Sequence, residues 1–150
     1  SRLLPAPPAL VWRCWTEPDA LMKWWGPKTF TSPAATMEFR PGGKYHFCMR
    51  MPDGKDLWST GNYLEIVPME RLVFTDSFAD AEGNVVTGAY YGMDNVWPEV
   101  MKVTLTFVQE GDQTHFTMHH EGIPAGENYE MCTAGWRESF DKLEAVLAAE

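Results

Sequence analysis

From Glu127 to Ala149 the apolar residues return every three or four positions. Tyr129, Cys132, Trp136, Phe140, Leu143 and Leu147 form one stripe, with Glu130, Arg137, Glu138, Asp141 and Glu144 lying off it. That period predicts a helix of about 22 residues and about 33 Å with one apolar face. Such a face needs a cover. From Thr36 onward the period changes to 2, so the expected cover is a sheet.

Ser1 to Leu4 reads as the tail of a strand, and because the chain opens without Met, a short preceding piece is expected. Pro5, Pro7 and Pro8 cannot propagate a ladder but can open a helix. A short helix is predicted over Ala9–Trp15 and a second reaching about Trp25. Thr16 is the expected cap of the second, Glu17 and Asp19 are its first-turn acids, and Gly26-Pro27 is its stop. Strands follow at Met37–Arg40, Lys44–Met51, Leu57–Val67, Arg71–Phe78, Met101–Val108 and Thr114–Glu121. Turn chemistry separates them at Pro41-Gly42-Gly43, Pro52-Asp53-Gly54-Lys55, Pro68-Met69-Glu70 and Glu110-Gly111-Asp112, while Gly61 marks a bulge or bend. The stretch Ala79–Glu99 mixes turn residues with Tyr90, Tyr91, Met93 and Trp97. It reads either as a lid over a site or as a loop pinned by its aromatics. Strands joined by hairpins give an antiparallel sheet, and helices segregated from strands give the α+β class, in one domain over residues 1–150.

Composition narrows the function. Seven Trp, eight Phe, five Tyr and nine Met are rich for 150 residues and suit a bulky core or an adaptable apolar pocket. The net charge is -9, with no Lys/Arg stripe, which argues against nucleic acid. No run of eighteen apolar residues is present, so no membrane-spanning helix is expected. Cys14, Cys48 and Cys132 are far apart and odd in number, which fits free thiols in a reducing cytoplasm.

Chemistry-bearing residues are few. If Phe116 and Met118 face inward, so does His120, while His115 and His119 face out. Asp76 shares parity with Leu72, Phe74 and Phe78, so His120 and Asp76 are the weak candidates for an acid–base pair; a lone inward His is also a common satisfied core residue. The histidines do not converge as a metal set, no nucleophile elbow is present, and Arg40-Pro41-Gly42-Gly43 is a turn rather than a phosphate loop. No metal or cofactor is expected. Of the adjacent Trp24 and Trp25, one should pack on the sheet and one should reach the mouth of the space under the helix. Gly135 should allow close approach or leave room for a ligand.

Several ordered motifs carry a resemblance: Trp15-Thr16-Glu17-Pro18, Trp24-Trp25-Gly26-Pro27, Glu38-Phe39-Arg40-Pro41-Gly42-Gly43, the run from Gly61 to Thr75, and Gly135-Trp136. Together they resemble bacterial proteins similar to the C-terminal domain of the activator of heat-shock protein 90 ATPase, in the START-like, or Bet v-like (SRPBCC), superfamily. Glu38 departs from the Asp often found there. The resemblance implies a helix-grip fold: a curved antiparallel sheet around a long C-terminal helix, two short helices near the N-terminus, and a hydrophobic cavity between. It does not imply a chaperone role, because single-domain members lack the N-terminal domain through which the eukaryotic activator chiefly docks.

The leading functional expectation is non-catalytic binding of a small apolar or aromatic molecule in that cavity. Expected wall residues are Trp24, Phe47, Met49, Trp58, Phe74, Tyr90, Phe116, Met118, His120, Tyr129, Trp136 and Phe140. The alternatives are a cyclase, hydratase or hydrolase using His120, and a protein that docks on a chaperone or another partner. A homodimer is also considered.

Overall fold

The computed structural model describes residues 1–92, 98–123 and 126–149, with the side chains of Glu127 and Asn128 also outside the description. In chain order the elements are β1 (Arg2–Leu4), α1 (Pro8–Thr16), α2 (Pro18–Leu21), β2 (Thr31–Met37), β3 (Lys44–Arg50), β4 (Asp56–Val67), β5 (Arg71–Ala79), a 3₁₀ turn (Gly88–Tyr91), β6 (Met101–Glu110), β7 (Gln113–Glu121) and α3 (Glu127–Ala148). The strands form one curved sheet in the order β1-β7-β6-β5-β4-β3-β2, antiparallel at each pairing. Neighbours in sequence are neighbours in space except at β1, which closes against β7 from the far end of the chain.

Side-chain alternation sets which face is buried. Tyr45, Phe47, Leu72, Phe74, Val103, Leu105, Phe107 and Phe116 share one core with Phe140, Leu143 and Leu147 of α3. Val11, Cys14 and Trp15 of α1, with Leu21 and Trp24, complete it at one end. Gly61 is required by the bend of β4: a Cβ there would lie 1.9 Å from the Thr75 carbonyl oxygen and 2.8 Å from the Tyr45 ring. The register shift itself comes two residues later, between Tyr63 and Glu65.

Three boundaries differ from the sequence expectations. Thr16 ends α1 instead of capping α2; its hydroxyl donates to the Trp12 carbonyl at 2.9 Å, four residues back, and Glu17 takes the cap position. α2 stops at Leu21, and turns carry the chain to Trp25. The strand expected at Met37–Arg40 lies instead at Thr31–Met37. Pro33 hides that strand from a pattern search. It is tolerated because β2 is one of the sheet's two outermost strands and the pairing with β3 is irregular between Thr31 and Ala34.

Candidate functional site

The core does not close completely beneath α3. A cavity of about 360 Å³ lies between three walls. The helix contributes Met131, Cys132, Gly135, Trp136 and Ser139, and the segment after α2 contributes Trp25, Gly26, Pro27 and Phe30. The sheet contributes Met49, Leu57, Ser59, Asp76, Phe78, Met101 and His120. Lys142 holds the first two walls together: its ammonium donates to the carbonyls of Gly26, Pro27 and Phe30 at 3.0–3.2 Å, and burial lowers its pKa. The Lys28 amide donates to Glu138 beside it.

Gly135 faces Pro27 of that loop, but the approach does not require a glycine. A Cβ there would meet only Pro27 Cγ, at an ordinary 3.5 Å. Gly135→Ala is therefore expected to raise stability by about 0.5–1 kcal/mol, through helix propensity and a less free unfolded chain. Urea denaturation of both proteins checks this, and a loss of stability would show the approach to be tighter than the geometry says.

The polar groups of the cavity gather at one end. Trp136 Nε1 donates to His120 Nδ1 at 3.1 Å. Because indole nitrogen only donates, Nδ1 accepts, and the neutral ring carries its proton on Nε2. That atom lies 3.6 Å from Asp76 Oδ2, beyond hydrogen-bond range, and has no hydrogen-bond partner among the described residues. Asp76 Oδ1 accepts the Tyr45 hydroxyl at 3.1 Å, and the same hydroxyl reaches the Thr75 carbonyl at 2.8 Å. Cys132 Sγ stands 4.0 Å from His120 Nδ1.

Burial governs the protonation of this cluster. It pushes the Asp76 carboxyl from 3.8 up to about 6, partly offset by the Tyr45 hydrogen bond, and it pulls His120 from 6.5 down to about 4. Tyr45 is held well above its usual value by burial and by Asp76, and burial lifts Cys132 to about 11. At neutral pH the cluster is thus a carboxylate among neutral tyrosine, imidazole and thiol groups. Among the described residues, no group of three or more His, Cys, Asp or Glu is placed to hold a metal ion.

The expected wall residues separate into groups. Met49, His120 and Trp136 line the cavity, together with Asp76. Phe116, Met118, Tyr129 and Phe140 border a second hollow of about 340 Å³ on the far side of Trp136 and His120, toward β1 and Arg2. Trp24, Phe47 and Phe74 are consumed by the core; Trp24 is fully buried, with Nε1 donating to the Cys14 carbonyl at 3.0 Å. Its neighbour Trp25 is the one that reaches the cavity, 5.5 Å from Trp136 and nearly perpendicular to it. Trp58 has the opposite parity to Leu57 and Ser59 and stacks on His46, ring centroids 4.3 Å apart, away from the cavity. Tyr90 is 61% exposed. In its described part the aromatic loop is pinned: the Tyr91 hydroxyl donates to the Ala79 carbonyl and accepts the Trp58 amide, capping the end of the β4–β5 ladder. Met93 and Trp97 lie outside the described residues.

Leu57, Ser59 and Met101 were missed although parity with Gly61, Tyr63 and Val103 marks them as inward. Met51, in the expected strand Lys44–Met51 and of the same parity as Met49, was passed over in the same way, whereas Phe30, between a turn and β2, carries no comparable signal.

A curved antiparallel sheet that grips a C-terminal helix, with an apolar cavity between, is a helix-grip domain of the START-like, Bet v-like class. Residues 5–148 match the family described as Activator of Hsp90 ATPase homolog 1-like protein, and the chain belongs to that family. It is 30% identical over 115 residues to the human activator of 90 kDa heat shock protein ATPase homolog 1. That match covers 75% of this chain but only 27% of the human protein. Among solved structures, a Nitrosomonas europaea protein is 26% identical with a TM-score of 0.79, covering 99% of this chain and 91% of that one. A Chromobacterium violaceum protein is 30% identical with a TM-score of 0.75, covering 97% and 93%. No helix among the described residues is long and apolar enough to cross a membrane.

Proposed function

We propose that the chain binds a small apolar or aromatic molecule in the cavity under α3. The observation that carries this is the void beside Trp136. An indole that bridges helix and sheet would be sealed on all sides in a core, yet here it faces about 360 Å³ walled by Trp25, Phe30, Phe78 and methionines. Methionine walls suit ligands of varied shape. An acid–base activity at the same residues has less support: Asp76, at about 6, is poised to act as a base, but His120, at about 4, is a neutral imidazole at neutral pH and supplies no acid to partner it. Docking on a chaperone is supported by the family and by the human relative's name, and that relative is matched over about a quarter of its length.

Trp25 and Trp136 make the cavity its own reporter. Titration with lipids, flavonoids and polyketide-like compounds is expected to give saturable quenching of tryptophan emission by at least one class. A panel without a single saturable binder would defeat the reading.

A further inference from the structure

The cavity wall carries an unbalanced charge. Among the described residues that line it, Asp76 is the one with a formal charge at neutral pH, and none is Lys or Arg. The groups facing the carboxylate are the Tyr45 hydroxyl from β3, the neutral His120 ring from β7 and the Cys132 thiol from α3. All three are uncharged. A buried carboxylate without a counter-cation is costly, and its pKa has risen accordingly.

The carboxylate also has unused bonding capacity. Oδ1 accepts from Tyr45, while Oδ2 has only the His120 Nε2–H at 3.6 Å. An ionised carboxylate offers about four acceptor positions. The His120 side chain is 5% exposed and the Asp76 side chain 19%, so Asp76 is the more accessible of the two. The same cavity is lined by Trp25 and Trp136, whose rings attract cations as well as apolar bodies.

We infer that the cavity selects an amine: a ligand with an apolar, single-ring-sized body and a protonated amino group that pairs with Asp76 Oδ2 between Trp25 and Trp136. The inference rests on the cavity-binding reading above and sharpens it. The amine supplies the missing positive charge and donates to the free acceptor positions. A carboxylate ligand meets like charge, and a neutral alcohol fills an acceptor position without cancelling the charge. The protein's overall charge of -9 also favours a cation's approach, so the test must separate that diffuse attraction from the site.

Four probes share one body: 4-butylbenzylamine, 4-butylbenzyl alcohol, butylbenzene and 4-butylbenzoate. Each is titrated by tryptophan quenching into the wild type and into Asp76→Asn, in about 0.15 M salt to screen surface charge. Binding of the amine at least about tenfold tighter than butylbenzene, with the benzoate weakest, is expected. In Asp76→Asn the amine should fall to the level that butylbenzene shows in that same variant. In the wild type alone, amine affinity should fall as pH drops through about 6, a readout that needs no variant. If butylbenzene binds but the alcohol matches the amine, or the amine's advantage survives in Asp76→Asn, the amine inference is overturned and the cavity reading stands. If none of the four binds, the amine inference is overturned, and the cavity reading is decided by the lipid, flavonoid and polyketide-like panel.

Discussion

Trp15→Ala is expected to lower the free energy of unfolding by about 3–5 kcal/mol, read from urea or thermal denaturation. Trp15 is 2% exposed and is the place where all layers meet. Its ring centroid is 4.7 Å from Trp24, 5.8 Å from Phe116 of β7 and 6.3 Å from Trp136 of α3, with Trp25, Phe74 and Phe140 within 6.4 Å. Removing it opens a void that rigid rings on three sides cannot collapse to fill. A domain this size has about 5–15 kcal/mol in total, so the variant should sit near the edge of folding. Trp15→Phe should cost far less, because the Trp15 Nε1 has no hydrogen-bond partner among the described residues and nothing polar is lost. A loss below about 1.5 kcal/mol for the alanine variant would mean that the cluster is loosely packed.

The second large effect is a pH dependence that the wild type conceals. Asp76 has a folded pKa of about 6 against an ordinary 3.8, so the folded chain holds the proton more tightly. Its contribution is fully present below pH 3.8 and is lost as pH rises through 6. His120 is the reverse: with a folded value of about 4 against 6.5, its contribution is present above 6.5 and is lost as pH falls through 4. Each displacement is worth about 3 kcal/mol, and the two windows overlap with opposite sign, so the native protein should be nearly flat across them. Removing either partner exposes the other. Asp76→Asn should be more stable than wild type at neutral pH and lose about 3 kcal/mol as pH falls from 6.5 to 4. His120→Gln should lose a similar amount as pH rises from 3.8 to 6. Denaturation midpoints at several pH values decide it; two variants with parallel profiles would show that the pair does not divide the titration this way.

The strands, hairpins and terminal helix were legible because each is a periodicity, and period 2 together with period 3.6 needs no tertiary information. Thr31–Met37 was not, because Pro33 is acceptable only in an outermost strand, and being outermost is a property of the whole sheet. The candidate site was half legible. Parity brought Asp76, His120 and Met49 to the inner face, and Trp136 lay on the helix stripe, but parity does not say how far along a strand the core ends and the cavity begins. Phe47 and Phe74 point inward like Met49, yet they sit where Trp15, Trp25 and Tyr63 fill the space. The choice between Trp24 and Trp25 turned on where α2 stops, which a pattern of single residues does not fix. The connection from Trp136 through His120 to Asp76 joins residues up to sixty positions apart and is visible only in three dimensions.

Pro33 has a consequence beyond the boundary of β2. An outermost strand ordinarily offers a row of amide donors to which another chain can add itself, growing pairs, fibrils or aggregates from one sheet to the next. At this rim one donor is missing and the pairing is irregular, so the rim is a poor template for a neighbouring chain's backbone. Self-association of this protein, where it occurs, should therefore run through side-chain surfaces and not by continuing the sheet at β2.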